Sequence, residues 1–374
     1  MPETEPRWRE QRSSPVIRRG LLPSGDDARL GANEAPYGPP QPVLDAIMRS
    51  AVQGNNYAFD ASGPLLGGLE RWLGVPSSRI LLGAGSNDIL ERAILALAGP
   101  GNEIVYPTPA YPIYASATAA GQAVGVPVAN AADGSNDLEA LRAAVTPNTS
   151  LLILCNPHNP TGGHAPTSAI AELVDGVPPG VVILLDEAYW EFSDEFQEGG
   201  QGGRGLLDAH PNLVCSRTFS KFFGLAGLRV GYGLVGSEEL AAQLRLRQGP
   251  GAVTRVSLAG AEAALECIDI YRERLDELRR ERERVAAACT ELGLDPLPSQ
   301  TNFLLMPEPL PQTAERMLEH GVWIRPGATM GCPGQIRVTI GTPAQNDRML
   351  ELLAGLVEEA GAPGSGDGEP VAAP

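Results

Sequence analysis

Two runs of five residues, LLILC at 151–155 and VVILL at 181–185, are apolar at every position. Successive side chains of a strand point to opposite faces, so a strand without polar alternation has to be covered on both. Such strands belong to the middle of a sheet sandwiched between helices. Shorter apolar runs follow the same rhythm: RILLG, NEIVYP, QAVGVPV, NLVCSRTFS and LRVGYGLV. Segments with helical spacing lie between them and end at glycine, NDILERAILALAG among them. Strand and helix in alternation predict an α/β chain built on a largely parallel sheet.

The pattern changes near residue 265. ECIDIYRERLDELRRERERVAAACTELGL carries apolar residues at 268, 271, 275, 278, 285, 289 and 292 with charges between them. This predicts a half-buried helix with Asp276–Arg280 and Arg279–Glu283 paired on its wet side. NFLLM, GVWIRP and QIRVTIG then read as a small α+β domain that closes with a helix near 345–360. The polar start, 1–30, and the low-complexity end from Gly361 read as an arm and a disordered tail. The expected organisation is an arm at 1–40, a large domain at 41–260, a small domain at 261–360 and a tail at 361–374. The glycine-rich stretch 193–205 reads as a plain surface insertion.

At 374 residues the chain is long enough for two domains, and its net charge of −17 argues against nucleic acid or an anionic membrane as partner. Five cysteines without CxxC spacing, and no apolar leader in MPETEPRWREQRSSP, point to a reducing cytoplasm. Histidine and cysteine show no metal-ligand spacing, so no metal is expected.

In parallel α/β sheets, ligands bind beyond the carboxyl ends of the strands. Here those ends carry polar groups. LLILC leads to Asn156 and Asn159, and VVILL to Asp186, Glu187 and Tyr189. NLVC leads to Arg217, Thr218, Ser220 and Lys221, and RILL to the anion-suited turn GAGSND. A dinucleotide site is the other reading of that turn, but Gly83-x-Gly85-x-x-Asp88 lacks a third glycine. Lys221 is the only lysine in the chain, beside 27 arginines. A lysine-poor composition could leave one by chance. Yet a reversible imine needs an amine that can lose its proton, which guanidinium cannot. An imine-forming lysine, an anion cradle, a buried carboxylate, an asparagine and a tyrosine are together what pyridoxal phosphate requires.

With those residues in hand, the sequence resembles the fold-type I pyridoxal-phosphate aminotransferases of classes I and II, and among them the histidinol-phosphate aminotransferase-like branch. The resemblance runs from about Leu30 to Leu356. It is carried by NEAPYGP (33–39), PGNEIVYPTPAYPIY (100–114), NPHNPTG (156–162), DEAYWEF (186–192), RTFSKFFGLAGLRVGY (217–232), NFLL (302–305) and IRVTIGTPAQND (336–347), in the family's order. It implies a large, mostly parallel sheet domain with a small α+β C-terminal domain, and pyridoxal 5′-phosphate as cofactor.

By position, Lys221 would hold the cofactor's aldehyde and then shuttle a proton, and Asp186 would pair with the ring nitrogen. Asn159 and Tyr189 would meet the ring's 3′-oxygen, and Tyr111 would stack on its face. Ser86, Asn87, Thr218, Ser220 and Arg229 would hold the phosphate. Tyr57 would reach the phosphate of a neighbouring subunit, which implies a homodimer with shared active sites. Tyr37, Asn302, Arg325 and Arg337 match substrate-pocket positions, and Arg255 is a candidate for a further cation there.

The sequence departs from the family's pattern at NEAPYG, at NNYAFDASG and at 249–259. In the last, GPGAVTRVSLA replaces a Pro-Tyr-Asn-like run, so the resemblance is firmer to aminotransferases at large than to the histidinol-phosphate enzymes. The expected reaction is ping-pong transamination with glutamate as amino donor and imidazole acetol phosphate as acceptor. Aromatic aminotransferase activity is the alternative. Threonine-phosphate decarboxylation, a specialised cyclase or lyase, and a non-catalytic regulatory domain are the remaining readings.

Overall fold

The computed structural model describes residues 28–249 and 251–361. The first 27 residues of the expected arm and 362–374 of the expected tail lie outside them. The described chain opens on β1 (Ala28–Arg29). Seven strands follow: β2 (Ile80–Gly83), β3 (Glu103–Thr108), β4 (Val124–Ala129), β5 (Thr149–Cys155), β6 (Val182–Asp186), β7 (Leu213–Thr218) and β8 (Gly231–Val235). They form one sheet in the order β2-β8-β7-β6-β5-β3-β4. β8 runs antiparallel to both of its neighbours, and the other pairings are parallel. Each of the seven apolar runs read from the sequence supplies one of these strands.

The covering of both faces is visible residue by residue. Leu152, Leu154, Ile183 and Leu185 enter one core, and Leu151, Ile153, Leu184 and Val214 enter the other. β4 lies at the edge, carries Pro127 and has no fully buried residue, as suits a strand with one side unpaired.

Downstream, the helix Ile268–Glu291 buries Tyr271, Leu275, Leu278, Val285 and Cys289, along the expected stripe. Its charges pair differently from the sequence expectation. Arg279 meets Asp194, distant in sequence, and Arg284 meets Glu281 and Asp347. Arg282 fills the gap in the apolar series, buried and donating to the Thr301 carbonyl at 2.8 Å. Then β9 (Phe303–Pro307), β10 (Val322–Trp323), β11 (Arg325–Pro326) and β12 (Gln335–Thr339) precede the helix Pro343–Gly361. β11, β12 and β9 make an antiparallel sheet in that order. No helix among the described residues is long and apolar enough to cross a membrane.

Two sequence readings need correction. Residues 28–30 are a packed element: β1 pairs in parallel with β10, and Ala28 and Leu30 are each 1% exposed. The stretch 193–205 is also more than an exposed insertion. Ser193 caps the short helix Asp194–Gln197, and the buried Gly203 N–H donates to Glu187 Oε1 at 2.7 Å. A Cβ on Gly203 would stand 2.5 Å from both Cys215 Sγ and Leu185, so only glycine fits beneath the sheet there.

Candidate active site

Because β5, β6 and β7 are adjacent and parallel, their carboxyl ends deliver Asn159, Asp186 and Thr218 to one edge of the sheet. There they border a cleft of about 350 Å³. Ser86, Asn87, Tyr111, Tyr189, Ser220, Lys221 and Arg229 also line it, and Arg325 and Arg337 enter from the small sheet.

At one end the chain turns from β2 through Gly85 (φ 90°) into the helix Ser86–Leu97, whose first turn has no side-chain cap. Uncapped N–H groups at a helix start are an anion site. A Cβ on Gly85 would lie 2.4 Å from Arg229 Nη2, so the glycine is what admits the guanidinium. Arg229 itself sits in the left-handed region (φ 54°) and donates to the Ala84 and Ala226 carbonyls at 3.1 and 3.0 Å. Its Nη1 lies 3.4 Å from Ser220 Oγ, which accepts from Thr218 Oγ1 at 2.9 Å.

Lys221 Nζ donates to the Ala32 and Asn33 carbonyls at 3.0 and 2.9 Å. Burial first, and then the nearby Arg337, Arg229 and Arg325, push its pKa down to about 7, against a smaller opposing pull from Glu34. An amine so placed exchanges its proton near neutrality. Asp186 shows the converse effect: burial raises its carboxyl to about 6, although Tyr114 O–H donates to Oδ2 at 2.6 Å and Ala188 N–H to Oδ1 at 3.2 Å. Tyr189 accepts at its hydroxyl from Asn33 Nδ2 at 2.8 Å, and burial raises its pKa. The Tyr111 ring is 37% exposed and meets Tyr114 edge to face.

Arg337 Nη1 donates to Asn159 Oδ1 at 2.7 Å and Nη2 to the Gly31 carbonyl at 3.3 Å. Arg325 Nε donates to the same carbonyl at 3.1 Å. Burial lowers both guanidinium pKa values, that of Arg337 to about 10. Among the described residues no carboxylate lies within ion-pair distance of either.

Of the residues given a cofactor or substrate role from the sequence, four do not line this cleft. Asn302 is fully buried and touches its border only by donating to the Asn33 carbonyl at 3.2 Å. Tyr37 lines a small pocket on the other side of Lys221, under the Arg274 guanidinium. Tyr57 is 79% exposed and stacks on Phe59, away from the cleft of its own chain. Arg255 donates to Asp60 at 2.8 Å and to the Tyr57 carbonyl at 2.9 Å, away from the cleft of its own chain.

The profile of the family described as aminotransferase class I and II matches residues 26–353. The chain belongs to that family. It is therefore a pyridoxal 5′-phosphate-dependent transaminase of fold type I, on its histidinol-phosphate aminotransferase-like branch. A histidinol-phosphate aminotransferase 2 of Ralstonia nicotianae is 38% identical to it over 355 residues, 93% of each chain. An aromatic amino acid aminotransferase of Cutibacterium acnes is 34% identical over 349 residues, 93% of this chain and 97% of that one. Among solved structures, the histidinol-phosphate aminotransferase of Sinorhizobium meliloti in complex with pyridoxal-5′-phosphate superposes with a TM-score of 0.82. Its identity is 29%, over 93% of this chain and 98% of that one.

The cleft of this aminotransferase fits the cofactor on its own observations. An uncapped helix start with a guanidinium against it suits a phosphate, a buried carboxylate suits a pyridine nitrogen, and a lysine near pKa 7 suits an aldehyde. Sequence reasoning missed Tyr114 and Asn33 as members of this site. Both lie inside quoted motifs, PTPAYPIY and NEAPYGP, which were the signal available.

Proposed function

We propose that this aminotransferase moves an amino group between glutamate and a phosphorylated ketone of the imidazole acetol phosphate type, as a histidinol-phosphate aminotransferase does. The observation that carries the reading is the pair Arg325 and Arg337, two half- to fully buried guanidinium groups on the cleft whose nearest acceptors are a shared backbone carbonyl and an amide oxygen. Buried charge without an anionic partner is costly, and the dianionic phosphate of such a ketone, or the two carboxylates of glutamate, would relieve it. Several curated relatives at 34–38% identity carry the histidinol-phosphate name, which supports the same reading.

Pyridoxal phosphate, when bound, supplies an electron-withdrawing ring that takes up the charge left at the substrate Cα. The chain supplies the rest. Ser86 and Asn87 N–H groups, Thr218, Ser220 and Arg229 would hold the phosphate, and Asp186 the ring nitrogen. Asn159 and Tyr189 would hold the 3′-oxygen, and Tyr111 would cover a ring face. Lys221 Nζ would hold the aldehyde and, with substrate in its place, would carry the proton from substrate Cα to the cofactor's C4′. Arg337, kept in place by Asn159, and Arg325 would take the two carboxylates of glutamate in one half-reaction and share the phosphate of the ketone in the other. Tyr37 and Asn302 border this region from behind Lys221 and Asn33.

The enzyme works as a cytoplasmic homodimer in this reading. Leu44, Met48 and Val52 form an exposed apolar stripe at helical spacing, continued by Tyr57 and Phe59. A surface of that kind calls for a partner, and a second copy would receive Tyr57 at its phosphate site. All five cysteines are unpaired, in keeping with a reducing compartment. A large domain at 41–260 and a small one at 261–360 remain the division we propose.

A second reading, aromatic aminotransferase, is favoured by the Cutibacterium relative and by the apolar groups Ala110, Pro112 and Met330 on the cleft wall. Half-reactions decide between them. Holoenzyme is mixed singly with histidinol phosphate, glutamate, phenylalanine and leucine, and the loss of visible cofactor absorbance is timed. Histidinol phosphate and glutamate should react fastest. Preference for phenylalanine over histidinol phosphate would replace the first reading with the second.

A further inference from the structure

Tyr114 is fully buried and comes from the helix Ile113–Ala120, whose first turn follows Tyr111. Its hydroxyl donates to Asp186 Oδ2 at 2.6 Å, and its ring meets Tyr111 at 6.3 Å between centroids and 80° between planes. One side chain thus touches two groups that would grip the cofactor's ring, the carboxylate at its nitrogen and the tyrosine on its face. The other groups around Asp186 do not substitute for that hydroxyl. Cys155 stands opposite it on β5 and Ser216 on β7. Glu187 follows it in sequence and disfavours its charge, while Ala188 N–H reaches only Oδ1.

We propose that Tyr114 is a positioning residue for the cofactor's ring: its hydroxyl keeps Asp186 ionised, and its ring edge seats Tyr111. This rests on the reading that Asp186 meets the ring nitrogen. A carboxylate with little water needs each donor it has, and Tyr114 supplies the shorter of its two hydrogen bonds. Without it the proton shared by the ring nitrogen and Asp186 moves to the carboxyl oxygen, and the ring loses its charge.

The test uses Tyr114→Phe, which keeps the edge-to-face contact and removes only the hydroxyl. In the apo-protein, infrared difference spectra at neutral pH should show a protonated carboxyl band that wild type lacks and that Tyr114→Phe/Asp186→Asn loses. With cofactor labelled by ¹⁵N at the ring nitrogen, the bound resonance should move toward the unprotonated value, and apo-protein affinity for pyridoxal phosphate should fall about ten- to a hundredfold. Tyr114→Leu should in addition restore mobility to the Tyr111 ring. An unchanged carboxyl band and an unmoved ¹⁵N resonance would overturn the proposal, whatever the affinity does. Asp186→Asn alone separates the two ideas: if it binds pyridoxal phosphate as tightly as wild type, it is the placement of Asp186 at the ring nitrogen that fails.

Discussion

Arg337 Nη1 reaches Asn159 Oδ1 at 2.7 Å, so a residue of the small antiparallel sheet is hydrogen-bonded to the loop that leaves the centre of the large one. The bond joins residues 178 apart in sequence and ties two walls of the cleft together. It gives the guanidinium a fixed direction before any substrate arrives, which is the purpose of a fork-shaped cation at an anion site.

Lys221 should be irreplaceable. Lys221→Ala and Lys221→Arg should both lose the visible absorbance of the lysine-bound cofactor and all transamination. Borohydride reduction of wild-type holoenzyme should mark one peptide, the α-amino group aside. Label on any other peptide, or turnover in the arginine variant, would contradict the assignment.

The same lysine should shape stability against pH. Its pKa is about 7 when folded, against an ordinary 10.5, so between those values the unfolded chain binds more protons than the folded one. The stability of the apo-protein should therefore rise with pH through that window. Lys221→Met removes the titrating group, and urea midpoints measured across the window should then rise less than those of wild type. Parallel curves would mean that the buried amine is not depressed.

Arg325 should discriminate among substrates. Arg325→Ala should cost a phosphorylated or dicarboxylic substrate roughly 2–4 kcal/mol of transition-state binding, about 30- to 1,000-fold in kcat/KM. Slow neutral amino acids should be nearly unaffected. A variant silent toward every anionic candidate would remove the support for a phosphate-bearing substrate.

Gly85→Ala should damage the anion cradle from the backbone outward. The added methyl would meet Arg229 at 2.4 Å, at a residue already at φ 90°. Strain of about 1–3 kcal/mol and a displaced guanidinium are expected. Thermal melting and pyridoxal phosphate titration should both register the change, with Arg229→Ala as the comparison. Normal affinity in Gly85→Ala would show that the guanidinium has room to move.

Assembly should matter to cofactor binding. Sedimentation should give a dimer, dilution to monomer should weaken pyridoxal phosphate binding, and Tyr57→Phe should do so without altering Lys221 labelling. A fully active monomer would refute shared sites.

Much of this architecture was legible because burial on two faces leaves a simple mark. LLILC and VVILL read as central strands, and their alternate residues do feed two cores. Lys221 stood out by scarcity, and Asp186 and Asn159 by their position at strand ends. Tyr114 and Asn33 were hidden because their significance lies in partners 72 and 156 residues away, which no local spacing encodes. Arg255 was visible as a charge, but its partner Asp60, 195 residues away, was not. The glycines of 193–205 read as a surface insertion, whereas Gly203 is glycine because Cys215 and Leu185 leave no room.

Residues 31–33 offer three successive carbonyls, Gly31 to Arg325 and Arg337, and Ala32 and Asn33 to Lys221. Just ahead of them, β1 is paired with β10, and Asn33 N–H is tied to Thr339 Oγ1 at the end of β12. The segment therefore acts as a tie rod between the C-terminal strands and the amine. If those strands shift as a body, the arginine clamp and the acceptors that hold the lysine's protons travel together, so grip on the substrate and basicity of the amine are geared to a single movement.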